Sequence, residues 1–304
     1  MNPPDTLRLN EFGFYEIKDK PTPAELSDYY AKRYYQENLT TYQPEYPAEE
    51  LEHIEGKLRL RHWVLERLRE ANGTGSFLDI GSGEGWALDY FQRQGWDVLG
   101  LDFSSFSLEK FHPRLREHLR TGDLYEGVQQ LVADGRQFDV LWLDNVLEHV
   151  LEPAALLRLC RQLVRPDGVL MVDVPNDFSA LQQHLLATGQ IDRPFWVVLP
   201  DHLSYFNQPG LRNLAKATGW HVAKVIGDQP IDLNLLNPVT NYVMDRTAGK
   251  GAHQTTSPRT ISCCAPPPCR PWLPTTKPWL AWGWAAVLLH FCNRTKIWCL
   301  VPGA

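Results

Sequence analysis

An acidic residue followed by three glycines at alternate positions is the group best suited to chemistry in this chain. These residues stand between an apolar run and a segment with helical spacing of apolar residues (86–94), and they are Asp79, Gly81, Gly83 and Gly85. Glycine lets the backbone turn sharply and lets a ligand approach where a Cβ would collide. The N-terminus of the following helix presents unpaired N–H groups. The pattern therefore predicts a strand–turn–helix unit with a ligand at the turn.

A second acidic residue, Asp102, ends the next apolar run, 96–102. In a strand–helix–strand unit this place holds the residue that binds ribose hydroxyls, and a carboxylate can accept hydrogen bonds from two adjacent hydroxyls. The turn has the spacing Asp-x-Gly-x-Gly-x-Gly. Dinucleotide-binding proteins instead use Gly-x-Gly-x-x-Gly, so the turn departs from their fingerprint.

With the acid two residues before the first glycine, the stretch resembles the first motif of class I S-adenosylmethionine-dependent methyltransferases. The resemblance implies that S-adenosylmethionine is the cofactor, that Asp102 binds its ribose and that Phe103 lies beside its adenine. It also implies an acid on the adenine amino group at Asp123, although Gly122-Asp123 fits an ordinary turn equally well. The predicted cofactor site comprises Asp79, Gly81, Ser82, Gly83, Gly85, Asp102, Phe103, Asp123 and Asn145. A glycine-rich turn without this function is the alternative.

The segments that follow support the resemblance independently. An apolar run at 138–145 is typical of a strand buried on both faces, and Pro153 suits the first turn of the helix after it. A turn at 165–168 and a strand at 169–176 come next. This block is similar to the Leu-Glu-His-Val half of small-molecule methyltransferases, such as the ubiquinone O-methyltransferases and type 23 methyltransferases. Strands and helices alternate over 76–228, which predicts an α/β, Rossmann-like, mostly parallel sheet with helices on both faces.

Two histidines are candidates for the general base that a hydroxyl acceptor requires. His149 follows the fourth strand at the expected mouth of the pocket, beside Glu148. His202 lies just before a helix at 208–218, and the resemblance implies that this segment is near the acceptor. Each histidine could instead be structural and donate a hydrogen bond to a loop carbonyl.

Composition and motifs restrict the other functions. No tyrosine has a lysine four residues on, which excludes the catalytic pair of short-chain reductases. After the fourth strand the chain lacks the Asn/Asp-Pro-Pro-aromatic stretch of nucleic-acid base methyltransferases. An acidic protein is also poorly suited to a phosphate backbone. We therefore predict a small-molecule acceptor, with a non-catalytic cofactor- or partner-binding relative as the rival, and neither nucleic acid nor a metal ion as a ligand.

The chain divides into three predicted regions. Residues 1–54 form an N-terminal helical, aromatic-rich extension, 55–245 the methyltransferase domain and 246–304 a tail rich in Pro, Cys and Trp. The first residues show neither the basic start nor the apolar run of a signal peptide, and the apolar stretch 279–292 is too short to span a bilayer. These features predict a cytoplasmic protein.

The tail differs sharply in composition from the rest. All 36 acidic residues and 23 of the 30 basic residues precede position 246, so residues 1–245 carry a net charge of −13. Five of the six cysteines lie in the tail, and their spacing matches no paired Cys-x-x-Cys zinc pattern. No helical or strand periodicity is evident in its Pro-rich part, and the closing strand of the family is not recognisable. We predict an unpacked tail, either a frame-shifted end, which we favour, or an interfacial anchor.

Overall fold

The computed structural model describes residues 4–29, 45–69, 73–227, 231–245 and 295–303. Its main sheet has seven strands, which are β3 (Ser76–Ile80), β4 (Asp97–Asp102), β5 (Leu119–Thr121), β6 (Phe138–Asp144), β7 (Val164–Pro175), β9 (Trp220–Gly227) and β10 (Thr295–Pro302). They are arranged in the order β5-β4-β3-β6-β7-β10-β9. The pairings among β3 to β7 are parallel, and β10 is antiparallel to both of its neighbours. The predicted mostly parallel α/β sheet is confirmed.

Helices cover both faces of this sheet. The described helices are α1 (Pro23–Tyr29), α2 (Ala48–Leu68), α3 (Trp86–Arg93), α4 (Phe106–Phe111), α5 (Leu124–Ala133), α6 (Pro153–Leu163), α7 (Ala180–Ala187) and α8 (Gln208–Ala217). Buried side chains of α2, α3 and α4 form one core cluster with the sheet, and those of α5, α6 and α8 form another on the opposite face. The two apolar faces of the sheet are therefore both removed from water, which is the main source of its stability.

The first 54 residues are not purely helical, and that part of the prediction is wrong. Two short strands, β1 (Leu7–Leu9) and β2 (Tyr15–Ile17), form a hairpin. The hairpin pairs with β8 (Ser204–Tyr205) in a separate three-stranded sheet. The long helix α2 begins at Ala48, before the predicted domain boundary at residue 55. Strands of only three residues are hard to recognise because alternation needs a longer run to be distinct.

The end of the tail belongs to the sheet, so the predictions of a wholly unpacked tail and of a missing closing strand are wrong there. Strand β10 fills the gap between β7 and β9. Trp298 and Leu300 enter the core cluster on one face, while Ile297 and Cys299 enter the cluster on the other. A strand buried on both faces has no polar alternation, which is why its apolar run was not recognised beside the Pro-rich stretch. Residues 246–294 lie outside the described residues, so the prediction for them stays a prediction.

The turn between α6 and β7 also differs from the expectation. The chain leaves α6 at Leu163 and is extended from Val164 onward, so the predicted turn at 165–168 is part of β7. Phe138 pairs with Val164, and the register between β6 and β7 then shifts before Val140.

Within the described ranges, no helix combines the length and apolar composition needed to cross a bilayer.

Candidate active site

The glycine turn forms as predicted between β3 and α3. Gly81 and Gly85 have φ angles of 79° and 83°, which L side chains rarely adopt. The backbone N–H of Gly81 donates to the carbonyl of Leu101 at 2.7 Å, so the turn lies against the end of β4. A Cβ on Gly81 would lie 2.4 Å from Cγ2 of Val146. Glycine is therefore required at this position both by its backbone conformation and by the close approach of the segment that follows β6.

Asp102 joins the end of β4 to the glycine turn. Its carboxylate accepts hydrogen bonds from the backbone N–H of Gly83 at 2.8 Å and from that of Ser104 at 3.1 Å. Asp102 is only 4% exposed. The two hydrogen bonds hold its carboxylate in one orientation at the carboxyl edge of the sheet.

Asp79 is more deeply buried than Asp102. It is 2% exposed, and burial raises the pKa of its carboxyl group well above the ordinary value. The negative charges of Asp144 and Asp102 raise that pKa further. A carboxyl group in such surroundings gains from a cation placed beside it, because a nearby positive charge favours the ionised form.

Two more aspartates, at the ends of β6 and β7, face the same side of the sheet. Asp79 is level with Trp142, and Asp144 is level with Asp173, so the alternation of side chains directs all of them towards α2. Arg61 of α2 donates to Asp144 at 2.5 Å and also contacts Asp173. This arginine is 4% exposed and lies 5.5 Å from the centre of the Trp142 ring. Its positive charge compensates the negative charges of Asp144 and Asp173, which are two of the four aspartates at this edge.

The remaining predicted cofactor residues lie near the turn, with varied surroundings. The Asp123 carboxylate accepts hydrogen bonds from the N–H groups of Tyr125 and Glu126, at 2.9 and 3.0 Å, and so caps α5. Phe103 is half-buried against a core cluster, and Ser82 is buried. Asn145 has a positive φ of 53°, and its amide donates to Asp144 at 2.8 Å. Asp123 therefore has a structural role as the N-cap of α5, which is in line with the alternative that Gly122-Asp123 is an ordinary turn.

A buried glutamate beside the glycine turn was missed. The Glu84 carboxylate accepts hydrogen bonds from the Tyr46 hydroxyl at 2.9 Å and from the Trp86 indole N–H at 2.6 Å. Burial raises the pKa of Glu84, while these hydrogen bonds oppose the shift. The Nδ1 atom of His112 donates to the Glu84 carbonyl at 2.7 Å. The segment before α2 is thereby attached to the turn, a contact between distant parts of the chain that no local pattern signals.

The two predicted catalytic histidines lie together. The rings of His149 and His202 are edge to face, with centroids 4.9 Å apart. Nδ1 of His149 donates to the carbonyl of Asp201 at 2.9 Å. Nε2 of His149 lies 3.8 Å from Oε1 of Glu148. One ligand atom from each of Glu148, His149 and His202 lies within 4.8 Å of the others, and we refer to these three residues as the Glu-His-His cluster.

Burial decides the charge state of this cluster. Glu148 is 1% exposed, and burial raises the pKa of its carboxyl well above the ordinary value, with further increases from Asp173, Asp177 and Asp144. Burial lowers the pKa of His149, and the charge and carbonyl of Asp201 only partly oppose that effect. A neutral His149 that donates from Nδ1 has its lone pair on Nε2, the ring nitrogen that lies 3.8 Å from Oε1 of Glu148. The cluster can therefore accept a proton or bind a cation.

The strand order, the glycine turn and the acid that follows it define a class I S-adenosylmethionine-dependent methyltransferase. The chain belongs to the methyltransferase domain family, because the model of that family matches residues 51–225. Residues 51–225 thus form a methyltransferase domain, and S-adenosylmethionine is the cofactor of this class.

Curated relatives match a shorter part of the chain. The ubiquinone biosynthesis O-methyltransferase of Neisseria meningitidis serogroup A is 32% identical over 123 residues, which are 37% of this chain and 49% of that protein. The enzyme of the same description from Yersinia enterocolitica is 36% identical over 106 residues, or 33% of this chain and 42% of that protein. The chain thus matches about half the length of these relatives, or less.

A solved structure extends the comparison to most of the chain. A SAM-dependent methyltransferase from Archaeoglobus fulgidus covers 82% of this chain and 93% of its own, with a TM-score of 0.51 and 14% sequence identity. At that identity the similarity concerns the fold alone. It agrees with the architecture described above, in which helices cover both faces of a mostly parallel seven-stranded sheet.

Proposed function

We propose that this methyltransferase transfers the methyl group of S-adenosylmethionine to a hydroxyl group of a small molecule. The observation that carries the proposal is the location of the Glu-His-His cluster, whose first member, Glu148, lies four residues after Asp144 at the end of β6. The acid-lined cofactor turn and the cluster therefore share the carboxyl edge of the sheet, where ligands of open α/β sheets bind.

The acidic residues at this edge suit the cofactor. S-adenosylmethionine carries a positive sulfonium and an α-ammonium group, and it supplies the methyl group in the reaction. Asp79 is a buried carboxyl whose neighbours Asp102 and Asp144 are also acidic, so a cation beside it is favoured. Asp102, oriented by the N–H groups of Gly83 and Ser104, would bind the ribose hydroxyls. The residues present thus fit the cofactor's charge and its ribose.

The cluster would act on the acceptor. A hydroxyl group must lose its proton before or during methyl transfer, and a neutral imidazole can accept it. His149, with Nδ1 donating to a carbonyl and Nε2 carrying the lone pair, meets that requirement, and His202 is beside it. Close placement of acceptor and cofactor supplies most of the remaining rate enhancement.

The acceptor class is part of the proposal. The curated relatives are described as O-methyltransferases, which supports transfer to oxygen. We propose that the acceptor is a hydroxylated metabolite, such as a sugar or glycan precursor, and that the protein is cytoplasmic. The acidic composition of residues 1–245 supports a small molecule rather than a polyanionic acceptor.

The test measures cofactor binding and turnover separately. Calorimetry with S-adenosylhomocysteine reports cofactor affinity, and radiolabelled S-adenosylmethionine added to a small-metabolite extract reports transfer. Asp102→Ala should weaken cofactor binding by about 1.5–3 kcal/mol, the range for hydrogen bonds to charged groups. His149→Ala should lower turnover by about 10²–10⁴-fold without changing cofactor affinity, and the same test on His202→Ala separates the two candidates.

The matched control is His184→Ala, because His184 is exposed on α7, outside the proposed site. It should retain both affinity and turnover. Normal cofactor binding by folded Asp102→Ala would contradict the cofactor assignment. Cofactor binding by the wild-type chain without any label transfer would contradict the proposed reaction.

A further inference from the structure

The N-terminal hairpin of β1 and β2 precedes residues 51–225, the part of the chain that the methyltransferase family model matches. Its second strand pairs with β8, which begins two residues after His202. Buried side chains of the hairpin form one apolar cluster with this segment, and the members are Leu7, Ile17, Leu203 and Tyr205. An element that family membership does not explain is therefore packed against the segment that carries His202.

Backbone hydrogen bonds connect the hairpin to both histidine segments. The N–H group of Ile17 donates to the carbonyl of Leu203 at 3.0 Å. The N–H groups of Leu203 and of the residue after it donate in turn to the carbonyl of Glu148, at 2.8 and 3.1 Å. Leu203 directly follows His202, and Glu148 directly precedes His149. The backbone of β2 is thus linked through β8 to the segment after β6, and each histidine is next to this link.

Lys20, three residues after β2, provides a second link to the segment after β6. Its Nζ atom donates a hydrogen bond to the carbonyl of Leu151 at 2.8 Å, and Leu151 lies two residues after His149. The same atom lies 3.1 Å from the carboxylate of Glu16 and 3.6 Å from that of Glu152. Because Glu16 is only 8% exposed, water screens its pair with Lys20 less than it screens a surface pair. The ammonium group is therefore held between the hairpin and the His149 segment.

We propose that Lys20 is a positioning residue for the acceptor side, through which the hairpin keeps the His149 and His202 segments in the arrangement that methyl transfer requires. The two rings have centroids 4.9 Å apart and come from segments that are far apart along the chain. Their relative placement therefore depends on contacts such as these two links. A displacement of about 1 Å in an active site can cost about 100-fold in rate. The catalytic role of the histidines rests on the proposed function, whereas the placement of their rings does not.

The hairpin is itself held firmly, on the acceptor side of the molecule. The amide of Asn207 donates to the carbonyl of Gly13 at 2.8 Å. A Cβ on Gly210 of α8 would lie 2.8 Å from the Cβ of Phe14, so the hairpin and α8 are in close contact. These contacts involve β8, α8 and the segment after β6, whereas the glycine turn follows β3 and the acid proposed to bind ribose ends β4. A change at Lys20 should therefore affect transfer and leave cofactor affinity unchanged.

The test compares Lys20→Met, Lys20→Arg and the wild type as full chains. Three quantities are measured: the affinity for S-adenosylhomocysteine, label transfer from radiolabelled S-adenosylmethionine into a small-metabolite extract, and the imidazole ¹⁵N chemical shifts of His149 and His202 at one pH. Lys20→Met should keep the affinity, lower transfer by about 100-fold and show a His149 ring no longer held as the Nδ1–H tautomer. Lys20→Arg, which keeps the charge and a donor, should regain most of the transfer. Lys18→Met is the matched control, because Lys18 is exposed on the same segment, and it should follow the wild type.

A merely structural role of Lys20 would give a different result. Lys20→Met would then lose free energy of unfolding in urea, while its imidazole shifts and its transfer per folded chain stayed as in the wild type, and this outcome would overturn the proposal. If Lys20→Met does not fold, Glu16→Gln removes the charge that holds the ammonium group, and unchanged imidazole shifts in that variant would overturn the proposal equally. A wild-type chain that transfers no label would contradict the proposed methyl transfer, whereas the imidazole shifts would still decide the role of Lys20.

Discussion

At the scale of single residues, the site contains buried aspartates whose hydrogen-bond and charge partners differ. Asp102 accepts two backbone hydrogen bonds, and Asp144 and Asp173 share Arg61. The pKa of Asp79 is raised, first by burial and then by the charges of its acidic neighbours. The same property that makes Asp79 costly to the fold makes it suitable for a cationic cofactor. Stability and binding should therefore respond in opposite directions when its charge is removed.

The change that tests this opposition is Asp79→Asn. A carboxyl whose pKa is raised in the folded state holds its proton there at pH values where the unfolded chain has lost it. Above the unfolded value, about 3.9, the folded state thus binds more protons and stability decreases as pH rises. We expect Asp79→Asn to flatten this dependence and to be more stable than the wild type near neutral pH. Its affinity for S-adenosylhomocysteine and S-adenosylmethionine should fall, and more for the sulfonium compound.

Urea unfolding of the cofactor-free chain between about pH 5 and 8 measures the effect. The exposed Asp97→Asn variant removes a charge without burial and should follow the wild type. A wild-type pH dependence that Asp79→Asn reproduces unchanged would show that the Asp79 carboxyl is not the group responsible.

At the scale of elements, the turn between β3 and α3 is held from two sides. The Gly81 N–H donates to the end of β4, and Val146, from the segment after β6, approaches Gly81 from another direction. The ends of three parallel strands thus determine where the turn lies. The glycine pattern predicts that a turn exists, while these contacts decide its exact path.

Gly81→Ala should therefore destabilise the protein more than an equivalent change elsewhere. The positive φ alone costs about 1–2 kcal/mol for a residue with a Cβ. The new methyl group would also collide with Val146, and overpacking adds typically about 1–3 kcal/mol. The matched control is Gly135→Ala, since Gly135 has a φ of 67° but no atom within 4 Å of the added Cβ.

Urea denaturation of both variants separates the two contributions. The control should lose only the amount due to φ, and the difference between the variants is the packing cost at Gly81. Equal losses would mean that Val146 moves aside readily, and the turn would then be less constrained than its contacts indicate.

At the scale of the whole molecule, the last strand of the chain completes the sheet from its interior. β10 is placed between β7 and β9, so removal of β10 would leave β9 without a strand partner and β7 paired with β6 alone. Trp298 is 1% exposed and lies in the core cluster with α6 and α8. Truncation after Asp245 should consequently impair folding, in contrast to what the prediction of an unpacked tail implies.

Trp298→Ala tests this role without deleting a strand. Replacing a buried tryptophan by alanine typically costs about 3–5 kcal/mol, because packing and burial are both lost. Trp63→Ala is the control, since Trp63 is 45% exposed on α2 and should cost much less. The free energies of unfolding in urea give the comparison. A small loss at Trp298, or cooperative folding of a chain that ends at Asp245, would show that the sheet does not depend on β10.

Much of the fold could be predicted because its signals are local. The acid and glycines of the first turn, the apolar runs of β3, β4, β6 and β7, and the apolar spacing of the helices each lie within a few residues. A strand buried on both faces and a turn that needs positive φ have sequence patterns that tertiary contacts rarely override. The resemblance to class I methyltransferases rested on these local patterns.

Only the tertiary structure decided the features that join distant segments. Arg61 reaches Asp144 and Asp173, Tyr46 reaches Glu84, and the segment of His202 meets Glu148 and His149. β10 likewise pairs with strands that precede it by more than 60 residues. Such contacts depend on how elements pack against one another, and propensity and periodicity carry no information about a partner far along the chain. The sequence by itself determined that a glycine turn exists after β3, and packing decided which charges surround it.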